Sequence, residues 1–180
     1  MILDTEFDGN RNFVKARLYT IQAYFPSREL KIWKIWKYQS EQKLIQDFLK
    51  WFLSVSDKIL IGYNLLKVDI PLLLIKSTEC KQADAFFEKV NTCNIVDLHV
   101  ILTFLNNGRI AGLEHWCKEF GVTYRLTIPS SQVNECMRKG DYRSVEDRIE
   151  METEAIAKLH RRIRRSDRLE EALRILRETN

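Results

Sequence analysis

Glycine and proline are scarce, at six and three of 180 residues, and no stretch is of low complexity, which excludes fibrous repeats and disordered linkers. Cysteine is thin as well. Cys80, Cys93, Cys117 and Cys136 lie far apart with no CxxC pair, so neither a zinc ribbon nor a secreted disulfide framework is indicated. Reduced, scattered thiols are the expectation. No apolar run approaches a membrane span, and the N-terminus has no basic segment followed by a long apolar stretch and cleavage site. The chain therefore reads as a cytoplasmic protein with no membrane contact. A strong excess of one charge is missing too, since the net charge of +4 does not by itself name a partner.

What is present is a globular composition, 45% hydrophobic and 30% charged, in a length that fits one domain over residues 1–180 and buries a core without metal or disulfides. The positive charge is unevenly placed. A basic helical extension over about 158–180 carries Lys158, Arg161, Arg162, Arg164, Arg165, Arg168, Arg174 and Arg177 against Asp167, Glu170, Glu171 and Glu178. Two readings stand side by side: a face that tracks phosphates, or a solvated helix with pairs such as Glu170 to Arg174.

The first third reads as three strands, over 1–7, 13–25 and 30–38, separated by turn signals at Asp8-Gly9-Asn10 and Pro26-Ser27-Arg28. An antiparallel meander is the economical arrangement. From Ser40, a plausible N-cap, the apolar residues Leu44, Ile45, Phe48, Leu49 and Phe52 fall on one helical face. A strand over 58–63 and a helix over 70–75 follow, which is the alternation of an α/β layer. Further helices are expected over 81–90, 97–106, 112–120 and 145–165. Trp33, Trp36 and Trp51 are expected to pack on the sheet or on a helix over it rather than to mark an interface. His99 and His115 lack a paired-ligand spacing and read as packing or surface residues.

Three acids do not fit a core. Asp4 and Glu6, two apart in a strand, project from the same face, and crowded carboxylates there need a compensating cation. Hard cations such as Mg²⁺ and Mn²⁺ take oxygen ligands of this kind. Asp69 stands where a strand hands over to a helix, and taken alone it reads as that helix's N-cap. Asp97 likewise reads as an N-cap ahead of a metal neighbour.

Taken together, Asp4-Thr5-Glu6 and the downstream Gly62-Tyr63-Asn64 with Asp69-Ile70-Pro71-Leu72 resemble the first two motifs of the DEDD 3'–5' exonuclease superfamily. The resemblance is closest to the proofreading-like exonuclease domains of family B DNA polymerases and their stand-alone relatives. The stretch from Ile95 to His99, followed by Gly112 to Val122, is similar to the family's connector, with Gly121 as a helix C-terminal cap. The resemblance implies an RNase H-like α/β fold of three layers, a mixed sheet with an N-terminal antiparallel meander and flanking helices. It further implies hydrolysis of DNA or RNA with two Mg²⁺ or Mn²⁺ ions. Asp4 would bridge both ions, Glu6 would bind the first and help orient the attacking water, and Asp69 would serve the second. Thr5, Phe7 and Asn64, with Arg161 and Arg165, would contact a single-stranded 3' end.

The family's last acid is an Asp on a C-terminal helix, with Tyr four residues or His five residues before it, and this chain has neither. In the matching register Glu152 takes the Asp position, completing the first metal site, and Arg148 takes the Tyr position. Helical spacing supports that register, because Val145, Ile149, Glu152, Ile156, Leu159 and Ile163 form one stripe with Glu152 its only charge. A competing register uses Asp147 with Tyr142. Arg148 stays protonated near neutrality and is no base, so it would pair with the scissile phosphate or with Glu152. Two functions follow: a metal-dependent 3'–5' exonuclease, or the same fold with a degenerate site that binds nucleic acid or a partner protein, a second copy included.

Overall fold

A computed structural model describes residues 1–25, 30–56 and 59–167. The turn expected at 26–28 and the part of the basic extension beyond 167 lie outside the described residues.

Strands β1 (Ile2–Phe7), β2 (Leu18–Tyr24) and β3 (Lys31–Lys34) form the antiparallel meander, and β4 (Ile59–Gly62) and β5 (Asn94–Asp97) add in parallel beyond β1. The order β3-β2-β1-β4-β5 makes β1 the central strand. Ile2 is paired with Tyr24 on one side and Ile61 on the other. Helices α1 (Glu41–Ser54), α2 (Asp69–Ser77) and α3 (Ala83–Thr92) cover one face. There Phe48, Phe52 and Phe86 pack with Leu3, Ile21, Ala23 and Trp33 in one core. Helices α4 (Leu98–Leu105), α5 (Leu113–Glu119) and α7 (Tyr142–Ile163) cover the other, where Leu102, Trp116, Ile156 and Leu159 meet Ile2 and Ile61. A short α6 (Val133–Lys139) closes the β2–β3 end, with Val133 beside Tyr19, Val145 and Ile149. Each large apolar side chain so buried contributes about 1.5–3 kcal/mol. The result is the three-layer RNase H-like arrangement.

Strand alternation sets the site. Leu3 joins the core under α1–α3 while Ile2 joins the core under α7, so Asp4 and Glu6, in phase with Ile2, face α7. Thr5 faces the other way, toward α2.

Five elements differ from expectation. β2 begins at Leu18 rather than at 13, because a ladder of side chains captures the preceding backbone: Asp8 Oδ1 accepts from Asn10 N, Asn10 Oδ1 from Asn12 N, and Asn12 Oδ1 from Val14 N. β3 stops at Lys34 and tightens into a 3₁₀ turn over Ile35–Lys37. Residues 94–97, read as the lead-in to a helix, are an edge strand. The stretch 133–139, left without an element, is α6, which ends on Gly140 at φ 74°, and α7 starts at Tyr142 with Asp141 capping Ser144. Trp33 packs at ring-centroid distances of 5.2 Å from Phe48 and 4.7 Å from Trp51 over the sheet, whereas Trp36 stacks on Tyr142 of α7 at 4.6 Å.

Candidate active site

Asp4 sits opposite Gln22 and Glu6 opposite Thr20 across the β1–β2 ladder. Gln22 Nε2 donates to Asp4 Oδ2 at 2.7 Å, a neutral partner for a charged group. On the opposite face of β1, Thr5 Oγ1 donates to Asp69 Oδ1 at 2.6 Å, tying the strand to the first residue of α2. The expectation that Asp69 caps this helix is not met. Val68 takes the cap position and makes no side-chain bond, so the Asp69 carboxylate faces Thr5 and Asp4 instead.

The approach to Asp69 is held by Asp97. Its carboxylate caps α4 through His99 N at 2.9 Å, as expected, and also accepts from Asn64 N and Leu66 N, both at 2.9 Å. Asn64 turns the chain at φ 67°, a left-handed conformation that Asn tolerates. Gly62, just before it, has no room for a side chain, since a Cβ would sit 3.0 Å from the Leu3 carbonyl oxygen. Sequence reasoning found the capping role of Asp97 and missed its grip on the turn.

α7 supplies Arg148 and Glu152. Arg148 is 5% exposed, and all three of its nitrogens are engaged: Nε with Glu6 Oε1 at 2.8 Å, Nη2 with Glu152 Oε2 at 2.5 Å, and Nη1 with the Ile128 carbonyl at 3.1 Å. Of its two expected partners, phosphate or Glu152, the structure supplies Glu152 and adds Glu6. Tyr142 and Asp147 of the competing register point elsewhere, the first onto Trp36 and the second to a surface pocket with Tyr24 and Thr127.

Arg148 thus serves Glu6 and Glu152, while Asp4 and Asp69 have neutral partners, and burial raises the proton affinity of all four. Burial, then the Glu6 charge, raises Asp4 to about 7. Burial and the Asp4 charge push Asp69 well above the ordinary carboxylate range. Glu152 rises to about 8, through burial first and Asp4 next, against the pull of Arg148. Glu6 is raised by burial although Arg148 works against the shift. Burial opposes the Arg148 charge, yet Glu6 and Glu152 hold it above its usual value. Tyr124, raised by burial and by the neighbouring Glu152, is a protonated phenol beside the cluster that nothing in the sequence pattern marked.

The donor set is all oxygen, which suits Mg²⁺ or Mn²⁺, and among the described residues Asp4 and Asp69 have only neutral hydrogen-bond partners in Gln22 and Thr5. Among the described residues no three acidic, His or Cys side chains stand close enough to hold an ion. The cause is geometric, because Arg148 draws Glu6 and Glu152 to itself and Asp69 leans on Thr5. Asp4 and Asp69 carry oxygens that Arg148 does not engage, whereas Glu6 and Glu152 are both paired with it.

The remaining expected residues are dispersed. Thr5 is engaged with Asp69, and the Phe7 ring packs edge-on against Phe13 at 5.9 Å, away from the acids, beyond an irregularity in the ladder between Glu6 and Phe7. Arg161 and Arg165, with Lys158, Arg162 and Gly121–Thr123, line a cavity of about 400 Å³. Arg161 lies nine residues beyond Glu152, about 14 Å along the helix axis. His99 packs edge-on against Tyr63, and His115 pairs with Glu119 one turn later. All four cysteines are free.

A central strand with two acids, a third at a helix start and a fourth on the last helix define an exonuclease-type α/β domain. The model of the DNA polymerase family B exonuclease domain matches residues 11–108, more than half of the chain, and the chain belongs to that family. The matched span contains Asn64 and Asp69 and not Asp4, Glu6, Arg148 or Glu152. Among solved structures, the family B DNA polymerase of the hyperthermophilic archaeon Pyrobaculum calidifontis superposes at TM-score 0.66 with 14% identity. That match covers 90% of this chain and 24% of the polymerase, so the chain spans about a quarter of that protein's length and shares its fold. No curated protein matches the sequence. Exonuclease domains of this family generally work with divalent metal ions. Among the described residues no helix is long and apolar enough to cross a membrane.

Proposed function

We propose that this chain is a single-domain, metal-dependent 3'–5' exonuclease that hydrolyses phosphodiester bonds at single-stranded ends of DNA or RNA in the cytoplasm. The observation that carries this reading is the meeting of β1, α2 and α7 at four acids: Arg148 bridges Glu6 to Glu152, and Thr5, between Asp4 and Glu6 on β1, bonds Asp69. Residues 148 apart in sequence crowd like charges into one place, a cost proteins bear where a cation or a reaction needs them. Bound divalent ions would supply the Lewis acidity that the hydrolysis requires. Asp4 and Asp69 would hold them, and Gln22 and Thr5 fix the orientation of those two carboxylates. Tyr124, which keeps its proton, offers a donor to an oxyanion. Arg161 and Arg165 would neutralise phosphates upstream of the cut.

The test is incubation of purified protein with end-labelled DNA and RNA strands and Mg²⁺ or Mn²⁺. Stepwise shortening from the 3' end is expected, falling by about 10²–10³-fold in Asp4→Asn, the scale of losing one preorganised electrostatic group. No shortening, or shortening undiminished in that variant, sinks the reading. A second reading, a degenerate module that binds nucleic acid or a partner without cutting, is favoured by the capture of Glu6 and Glu152 by Arg148. It expects oligonucleotide binding that weakens with salt and needs no metal, with a salt slope reduced by about one unit in Arg161→Glu.

A further inference from the structure

Carboxylates elsewhere in the described chain have neutral partners: buried Asp97 has three backbone N–H groups, and exposed Asp47 accepts from Trp33 and Tyr38. Glu6 and Glu152 are different, because their shared partner is a full positive charge held from three directions. The guanidinium stands between them as a divalent ion stands between two ligands: it bonds both and fixes their separation, with one positive charge instead of two. It is also not free to swing toward a ligand, since its third nitrogen is bonded to the Ile128 carbonyl on the far side.

We infer that Arg148 is a resident cation that replaces one of two metal ions, so that this site takes a single divalent ion, at Asp4 and Asp69. The inference rests on the metal-dependent reading for that one remaining ion. Its physical basis is the planar fork of arginine, which meets one carboxylate through Nε and another through Nη2 and carries no lone pair with which to join a metal shell. An incoming ion at Glu6 and Glu152 has to displace a guanidinium that is itself buried and then left unpaired, whereas an ion at Asp4 and Asp69 meets no bonded cation among the described residues, only the neutral donors Gln22 and Thr5, each on one carboxylate oxygen. Arg148 therefore makes the α7 side of the pocket complete without metal and leaves the α2 side incomplete.

The experiment is Mn²⁺ titration of the full chain near pH 7, followed by electron paramagnetic resonance and calorimetry, in the native protein, Arg148→Met and Arg148→Lys. One ion is expected in the native protein. Two are expected in Arg148→Met, where removing the competing cation tightens binding at Glu6 and Glu152 by about 10–100-fold, the range over which outer partners alter metal affinity. Lysine, which keeps the charge and cannot span both carboxylates with a planar fork, is expected to fall between. Two ions in the native protein overturn the inference and leave the nuclease reading standing, and this outcome needs no variant to fold. One ion in native and in both folded variants overturns it too. No ion in the native protein but one in Arg148→Met overturns the single-ion site and removes the metal-dependent enzyme. No ion in any of the three overturns both.

Discussion

Glu6 and Glu152 share a buried guanidinium, whereas Asp4 and Asp69, on the other side of the same pocket, have only the Gln22 amide and the Thr5 hydroxyl. Both pairs are drawn from distant parts of the chain, and each has one buried member, Glu6 or Asp69, and one half-buried member, Glu152 or Asp4. They differ in who supplies the positive charge. On the α7 side the charge is part of the polypeptide and is in place when the chain folds. On the α2 side it has to arrive, because among the described residues Asp4 and Asp69 have no positive side chain bonded to them, and burial raises their proton affinity as it does that of Glu152 across the pocket. One pocket thus contains a finished ion pair beside an unfinished one.

The sharpest way to break that comparison is to neutralise one member on each side and measure urea unfolding without metal. Arg148→Met leaves Glu6 buried and unpaired, and a loss of about 3–5 kcal/mol is expected. Asp4→Asn removes a repelled charge while keeping an acceptor for Gln22, and at pH 8 a gain of about 1–3 kcal/mol is expected from the raised proton affinity. Opposite signs from two changes in one cavity are the signature sought. If both variants lose stability, the α2 side is not short of a cation.

The pH dependence follows with its sign. A carboxyl whose folded value exceeds its unfolded value, near 4, binds more protons in the folded state between those values. With Asp4 at about 7 and Glu152 at about 8, the metal-free protein loses stability as pH rises from about 4 to about 8, and the loss is complete above that. Thermal melts in a chelator are therefore expected to show a falling midpoint from pH 5 to pH 8, by several degrees. Saturating Mn²⁺ is expected to remove the slope contributed by Asp4 and Asp69. A midpoint that rises steadily over that interval in chelator contradicts the crowding.

Much of this was legible in the sequence where a single periodicity or a short motif carried it. The alternation of β1 put Asp4 and Glu6 on one face, the Ser40 cap and its apolar stripe gave α1, and the four-and-three spacing of α7 put Glu152 inward. What was not legible depends on partners far away in the chain. Arg148 reads as an oddity until Glu6 and Ile128 are seen around it, and Gln22, in a strand with no marked polarity, becomes a site residue only through its register with Asp4. Residues 94–97 failed as a strand because four residues at a sheet edge, leading straight into a helix, leave no room for a period of two to show. The late start of β2 is a contest that local side-chain bonds at Asp8, Asn10 and Asn12 won over β-propensity.

Asp97 allows a last, smaller test of whether the α2 side is positioned independently of Arg148. Its Oδ1 accepts from Asn64 N and His99 N and its Oδ2 from Leu66 N, while Ile70 N, one residue past Asp69, returns a bond to the Leu65 carbonyl. The carboxylate therefore fixes the turn from which α2 departs. Asp97→Asn preserves the oxygen that caps α4 and replaces the other by an amide that cannot accept, leaving Leu66 N unsatisfied at a cost of about 1–2 kcal/mol. Because the turn sets where Asp69 stands, Mn²⁺ affinity is expected to fall by about tenfold, as when an outer support of a metal ligand is lost. The Arg148 pair, seated on β1 and α7, shares no element with that turn. In Asp97→Asn the loss on replacing Arg148 with Met should therefore equal the loss in the native background, and a double-mutant cycle that departs from additivity by more than about 0.5 kcal/mol would show that the two sides of the pocket are built as one.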